Sequence, residues 1–501
     1  MSVVILLAIL LPMVVGMALL LVLAAKKEKD AQPTTEELKR LHITVAAVLV
    51  ATAALGLAAA WLGSGDEGVT LFYLMKDIPV YFRIDELGKL YVTFISIVWV
   101  MVGMYSFVYM SHEGKEQRFF GYYLIVYGVL IALSFSGNIV TLYLFYELMT
   151  LATVPLVLHN GSREAIMAAL KYLFYSMCGA YMGLFGIFFL YRYCDTLEFV
   201  PGGSLNMSLA QGHGTILLIA VFLMILGFGV KGGMLPMHAW LPTAHPVAPS
   251  PASAVLSGII VKSGVLATIR VVFFMVGADF IRGTWVQTAW MTLTLITVFM
   301  GSLLAFREKV FKKRLAYSTV SQASYILFGL SVLQPQAMTG ALLHTVFHAF
   351  IKTALFLTAG VFIFKCHKTR VEELPGIGRM MPKTLWCFTF ASLALVGIPP
   401  ASGFISKWYL AQGALQAKVG VYGWMGPVVL LASALLTAGY LLSVTTKGFF
   451  PGEAAQESYE DKEPSMGMLL PLIILAALTL LLGIFPNPLI GFAGRIASSV
   501  M

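Results

Sequence analysis

The sequence predicts an all-α polytopic membrane protein of about 14 transmembrane helices. Three observations predict it. Of 501 residues, 59% are hydrophobic and 11% are charged, less than half the ~25% charge usual in soluble domains. The apolar residues fall in runs of the roughly 20 residues that one membrane crossing needs. No hydrophilic stretch between the runs is long enough for a separate soluble domain. Lipid, not water, is the solvent for most of this chain.

The candidate spans, in order, are residues 2–25, 43–63, 89–110, 118–136, 138–159, 165–192, 214–240, 251–276, 287–305, 314–333, 338–364, 384–412, 423–446 and 467–490. The first has its charges, KKEKD at 26–30, after the apolar run rather than before it. It reads as a transmembrane helix, not as a signal peptide. Between spans 2 and 3, VTLFYLMKDIPVYFRIDELG alternates and breaks like a short surface hairpin. Span 7 is interrupted by Gly232-Gly233-Met234-Leu235-Pro236, and span 12 by GIPPASG at 397–403. REAIMAALKYLFYS at the start of span 6 is echoed by REKVFKKRLAYSTVS before span 10. The echoes and the two broken spans suggest two inverted five-helix repeats, spans 4–8 and 9–13. The chain then divides at 1–117, 118–276, 277–446 and 447–501. Paired Gly/Pro-interrupted spans point to a transport site near the membrane midplane.

The net charge of +9 arises from basic residues scattered over short loops. No basic stripe with interleaved aromatics is present, so nucleic acid is not an expected partner. Twenty of the 33 Lys and Arg lie in or beside odd-numbered loops and seven by even-numbered ones. The positive-inside rule then puts both termini outside the cytoplasm, in a prokaryotic cytoplasmic membrane. Cys178, Cys194, Cys366 and Cys387 show no CxxC spacing, and no cofactor or metal is expected. Gly227-x-Gly229-x-x-Gly232 matches a dinucleotide fingerprint only in letters, because a membrane-length apolar run precedes it instead of a strand.

The chemistry lies in the charges within the spans. An ionisable group at a helix centre costs ~2.5–3.5 kcal/mol on insertion scales. This chain carries Glu147, Lys171, Lys231, Lys262, His344, His348, Lys352 and Lys407 in such positions. Lys171, some seven residues into its span, can snorkel to the interface. A Glu–Lys pair can be interhelical glue, and a histidine can satisfy a backbone carbonyl. The series as a whole asks for more. Burial disfavours a charged lysine and a nearby carboxylate restores it, so a buried lysine can change protonation as its partner approaches or withdraws. His344, His348 and Lys352 are spaced i, i+4, i+8 and share one helix face. The lysine on that face argues against a bound cation and for a proton relay. Prolines 236, 242, 246, 249 and 251 interrupt the backbone around Lys231, His238 and His245. Irregular backbone at membrane depth requires protein or water to satisfy it, so Lys231, and Lys407 beside Pro399-Pro400, are expected at hydrated breaks.

With Glu147, K-x6-H-x-W-L-P…AHPVAPSPASA, HTVFHAFIKTALFL and GIPPASGFISKW in view, the whole chain resembles a known family. This is the antiporter-like membrane subunits of respiratory complex I, energy-converting hydrogenases and Mrp-type cation/proton antiporters. The resemblance implies that Glu147 pairs with Lys231, that Lys262 stands at the channel centre, and that His344, His348, Lys352 and Lys407 continue a lateral proton path. Lys171, His238 and His245 are secondary candidates. It further implies neighbouring membrane subunits, a coupling or redox arm, and protons, with sodium as the alternative ion. Lysine at 407 departs from members with glutamate there, and no long lateral helix follows span 14. A cation/proton exchanger, a self-sufficient solute transporter and a passive scaffold are the competing functions.

Overall fold

The computed structural model describes residues 1–25, 34–63, 68–454 and 459–501. The KKEKD run of the first loop, with three of its basic residues, lies outside the described residues. Among those described, eleven helices are long and apolar enough to cross a membrane, and two shorter apolar helices, Gly214–Gly229 and Pro382–Val396, accompany them. Leaving aside single turns, the chain runs α1 Ser2–Ala25, α2 Thr35–Leu62, α3 Glu86–Glu113, α4 Glu116–Ser134, α5 Ile139–Val157, α6 Arg163–Tyr193 and α7 Gly214–Gly229. It continues α8 Leu241–Val247, α9 Ser250–Val276, α10 Trp285–Arg307, α11 Phe311–Ser331, α12 Pro335–Cys366, α13 Pro382–Val396 and α14 Ser402–Gln416. Three more helices close it: α15 Tyr422–Phe449, α16 Met466–Ile484 and α17 Asn487–Val500.

Among the described residues the fold departs from all-α at the two-stranded hairpin between α2 and α3. Its strands β1 Gly68–Met75 and β2 Ile78–Arg83 pair antiparallel, with Gly68 opposite Arg83 and Met75 opposite Ile78. Asp85 follows at once and caps α3, accepting the Gly88 N–H at 2.7 Å.

Both interrupted spans are discontinuous. Predicted span 7 is helical only to Gly229, then runs through turns to α8. A left-handed Gly233 and Pro236, which has no N–H to offer, end the ladder there. Predicted span 12 stops at Val396, where Gly397 takes the left-handed conformation, and resumes at Ser402. The KYLFYS/RLAYSTVS echo does not keep the same order: it opens α6, the third helix of spans 4–8, but α11, the second of spans 9–13.

Helices α9 and α12 form the axis of the bundle. Every residue of α9 is buried, as are those of α12 from Ala337 to Phe362. In α9 the ladder widens into π-type turns at Leu256–Ile260 and Arg270–Val276, a distortion frequent at functional sites. Gly264 of α9 rests on the break of span 7. A Cβ there would stand 2.4 Å from the Phe228 carbonyl oxygen and 2.8 Å from Lys231 Cβ. Gly264→Ala is therefore expected to destabilise the protein by ~1–3 kcal/mol through overpacking, read as a lower Tm of the detergent-solubilised protein. An unchanged Tm would show that the two elements separate freely.

Candidate proton-path site

The site is built in two parts. The first surrounds Lys231, which sits in the irregular segment after α7 and is fully buried. Its Nζ donates to Tyr172 Oη at 2.7 Å and Ser176 Oγ at 2.9 Å, both on α6. Tyr172 and Ser176 are four apart and so present two hydroxyls on one helix face. The ammonium lies 4.3 Å from the Tyr172 ring centroid and 5.9 Å from those of Tyr146 and Trp240. Tyr172 Oη shares a 2.7 Å hydrogen bond with Thr153 Oγ1 of α5, and Trp240 Nε1 donates to the Val230 carbonyl at 2.8 Å. Protein groups thus satisfy part of the break, while His238 Nδ1 within it is buried without a protein partner.

Glu147 stands one turn before Thr150 and nearly two before Thr153 on α5, half-buried, with Oε1 buried and without a hydrogen-bond partner. It is the acidic group that acts electrostatically on Lys231. The direct Glu147–Lys231 contact expected by resemblance is absent: among the described residues no ion pair joins them within 4.0 Å. The lysine is turned to α6, where two hydroxyls hold it, and Glu147 acts across a gap.

The second part gathers Lys262, His344, His348, Lys352 and Lys407. Lys262, in α9, reaches back along its own helix and donates to the Ser257 carbonyl at 2.7 Å. The π-type turn at 256–260 lets that oxygen serve a side chain. Ser257 Oγ bonds Thr319 Oγ1 of α11 at 2.7 Å. Lys352 donates to Ser318 Oγ and, at 3.0 Å, to the Leu315 carbonyl, both on α11. His344 and His348 stack with ring centroids 5.8 Å apart. His344 Nδ1 bonds Ser406 Oγ of α14 at 2.9 Å, whereas both His348 nitrogens and His344 Nε2 are buried with no protein partner. Lys407 donates to the Leu395 carbonyl at 2.6 Å and the Val396 carbonyl at 2.9 Å. These are the carbonyls that the end of α13 leaves free, at the negative end of its dipole. The Tyr325 ring bridges this group, 5.1 Å from Lys407 Nζ and 5.5 Å from the His344 ring.

Lys262, Lys352 and Lys407 all lie close enough to act on the charge of His348. No carboxylate is among the groups that act on it. Three ammonium groups within range of one imidazole repel one another.

The secondary candidates are placed differently. His245, in α8, is fully buried, stacks on Phe356 at 4.6 Å and lies within electrostatic range of Lys312 and Lys352. Its imidazole nitrogens have no protein partner. His238 is half-buried in the break of span 7, near Lys171. Lys171 itself is half-buried. Among the described residues no three His, Cys, Asp or Glu side chains converge as a metal site would need.

Three sets of residues escaped the sequence reading. Tyr172 and Ser176 hold Lys231. Helix α11 buries Lys312, Arg314, Ser318, Thr319, Ser321 and Gln322, and Gln322 has no partner for either amide atom. Its signal was a span too polar for a lipid-facing helix. Arg270, inside predicted span 8 but not singled out among its charges, is fully buried in α9 and pairs with Asp85.

The family profile described as "NADH:quinone oxidoreductase/Mrp antiporter, TM" matches residues 136–437, over half the chain and every candidate residue above. The chain belongs to this antiporter-like membrane family. A second profile, "NADH-Ubiquinone oxidoreductase (complex I), chain 5 N-terminus", matches residues 75–120. NADH-quinone oxidoreductase subunit N of Desulforudis audaxviator is 30% identical over 421 residues, 81% of this chain and 82% of that one. Hydrogenase-4 component B of Escherichia coli is 30% identical over 426 residues, 80% of this antiporter-like chain and 62% of that protein. The fold is shared with a chain of the Mrp complex from Dietzia sp. DQ12-45-1b, at a TM-score of 0.82 and 22% identity, over 100% of this chain and 98% of that one. The protein is thus an integral membrane, antiporter-like chain of the complex I, hydrogenase and Mrp family.

Proposed function

We propose that this chain carries protons across the membrane as one subunit of a multisubunit ion-pumping complex. The observation that supports it best is the second cluster: Lys262, His344, His348, Lys352 and Lys407 are brought together from three separate helices, α9, α12 and α14, and a lipid-facing scaffold needs no such group. Lys231, held by hydroxyls, receives a proton from the cytoplasmic side while Glu147 favours its charge. Withdrawal of Glu147 towards a neighbouring subunit releases that proton to Lys262. The imidazoles of His348 and His344 pass it between the lysines, and Lys407 releases it. Hydroxyls at Ser257, Thr319 and Ser406, each within 3 Å of its partner, line the route. The same groups serve a sodium-exchanging, Mrp-type variant, in which a second ion moves against the proton.

In this reading both termini and the hairpin lie outside the cytoplasm of a prokaryotic membrane, and spans 4–8 and 9–13 are two inverted repeats. The partners are other membrane subunits and a redox or coupling arm. Proton and sodium fluxes followed separately in sealed vesicles test it. Lys262→Met, in an assembled complex, is expected to cut coupled flux by about tenfold or more, a barrier increase of at least about 1.4 kcal/mol. Undiminished flux would remove Lys262 from the path, and loss of sodium flux together with proton flux would identify the exchanger.

A further inference from the structure

A crevice of about 500 Å³ opens between α2, α3, α12, α16 and α17. Its walls are apolar, with Leu90, Ile97, Phe350, Leu478 and Phe492 among them, and Arg495 of α17 stands at its rim. Helix α17 explains the shape. Phe492, Ala493, Ile496, Ala497 and Val500 are buried on one face, while Arg495 and its solvent-side neighbours are exposed. The helix therefore lies along the bundle where α16 ends, as an interfacial helix does. Trp61, exposed at the end of α2 with its Nε1 on Thr93 Oγ1 at 3.0 Å, marks the same level. Tryptophan is enriched at that boundary between water and hydrocarbon.

The depth of the crevice fits one leaflet. Ile97 and Val346 line it, each eleven residues from the start of its helix, at Glu86 and Pro335. At 1.5 Å per residue that is roughly 16 Å, close to half of the ~30 Å hydrocarbon core.

Charge decides what occupies it. Arg495 makes no ion pair among the described residues and rests 5.4 Å from the Phe492 ring. Within a bilayer an apolar wall has no hydrophobic preference for one hydrocarbon over another, since acyl tails are as apolar as leucine. Selective retention must come from the polar end, where a guanidinium matches a phosphate in a fork of two N–H donors. We propose that this crevice is a phospholipid site, with one acyl chain between α3, α12 and α16 and the phosphate on Arg495. The bound lipid would seal the outer face of α12, whose inner face carries His344 and His348.

The test is native mass spectrometry of the intact complex from membranes, titrated with phosphatidylglycerol and, separately, with diacylglycerol of the same chains. The wild type is expected to bind phosphatidylglycerol more tightly than diacylglycerol. Arg495→Gln, at an exposed position, is expected to weaken phosphatidylglycerol about fivefold, the equivalent of about 1 kcal/mol for one cation near an anionic lipid, and to leave diacylglycerol unchanged. Leu478→Trp, which fills the crevice, is expected to abolish the difference. Equal binding of the two lipids by the wild type, or equal phosphatidylglycerol binding by wild type and Arg495→Gln, would overturn the proposal. So would a photo-cross-linker at Leu482 that captures a neighbouring subunit in membranes instead of lipid.

Discussion

Lys231→Ala is expected to bring coupled proton flux to background while the complex still assembles. The expectation rests on how the lysine is held. Its Nζ has two hydroxyl acceptors, Tyr172 and Ser176, and three aromatic rings within 5.9 Å, but no carboxylate in contact. Neutral acceptors hold the ammonium less firmly than a paired carboxylate does, so the lysine is not locked in a permanent ion pair. Removing the amine takes the proton carrier away and leaves Tyr172 with Thr153, so the protein loses function before it loses its fold. Flux measured in sealed vesicles, beside a check of subunit content, separates the two. Wild-type flux from an assembled Lys231→Ala complex would mean that the buried amines are interhelical glue.

Glu147→Gln provides the graded counterpart. Because Glu147 acts on Lys231 across a gap rather than through a bond, its neutralisation is expected to slow the flux without breaking any contact. A solute transporter would instead show uptake by the single chain, and nothing in the two clusters resembles a pocket for an organic solute. The lysine-rich second cluster, which no carboxylate faces, suits a mobile proton better than a bound metal cation. A sodium-exchanging variant needs oxygen ligands for sodium beside these proton carriers, because the carbonyls of Leu395 and Val396 are taken by Lys407.

The sequence made the charged residues legible because each stands out against hydrocarbon. Glu147, Lys231, Lys262, His344, His348, Lys352 and Lys407 could be picked by letter alone, and so could the Gly/Pro breaks of spans 7 and 12. Their partners could not. Tyr172 is 59 residues from Lys231, and Ser406 is 62 from His344. Serines and threonines are common in membrane helices, where many bond their own backbone, and tyrosine is no rarity, so nothing in one sequence marks the few that face an amine. The π-type turn that offers Ser257 to Lys262 has no sequence signature at all. Helix α11 is not among the eleven helices apolar enough to cross a membrane: it is shielded from lipid and carries polar contacts of the bundle, and the same polarity disguised its role. Arg270 was passed over for a simpler reason: six residues from a helix end, an arginine looks able to snorkel, and only the packed structure shows it enclosed.

That arginine carries the second large expected effect. Arg270 is fully buried, sandwiched with its guanidinium carbon 4.7 Å from the rings of both Phe199 and Phe274. Its Nη1 and Nη2 meet the two carboxylate oxygens of Asp85, Nη2 at 2.9 Å, across 185 residues of sequence. The pair fastens the start of α3, beside the hairpin, to the far end of α9, the helix that carries Lys262. Asp85→Asn keeps the oxygen that caps α3 but strands a buried cation, and is expected to cost ~3–5 kcal/mol, read as a lower Tm. Adding Arg270→Met removes the stranded charge, so the double variant is expected to be more stable than Asp85→Asn alone. Burial pushes the Asp85 carboxyl up, but the charge and hydrogen bonds of Arg270, with the Gly88 N–H and Arg83, outweigh it and hold the group below its ordinary 3.8. A carboxyl so lowered stabilises the fold above about pH 4 and loses that contribution as pH falls through its folded value. The wild-type Tm should therefore drop more steeply below that pH than the Tm of Asp85→Asn. Parallel pH profiles, or a loss under about 1 kcal/mol in Asp85→Asn, would mean that packing of Phe199 and Phe274 alone holds this end of α9 and that the ion pair contributes no more than a surface one.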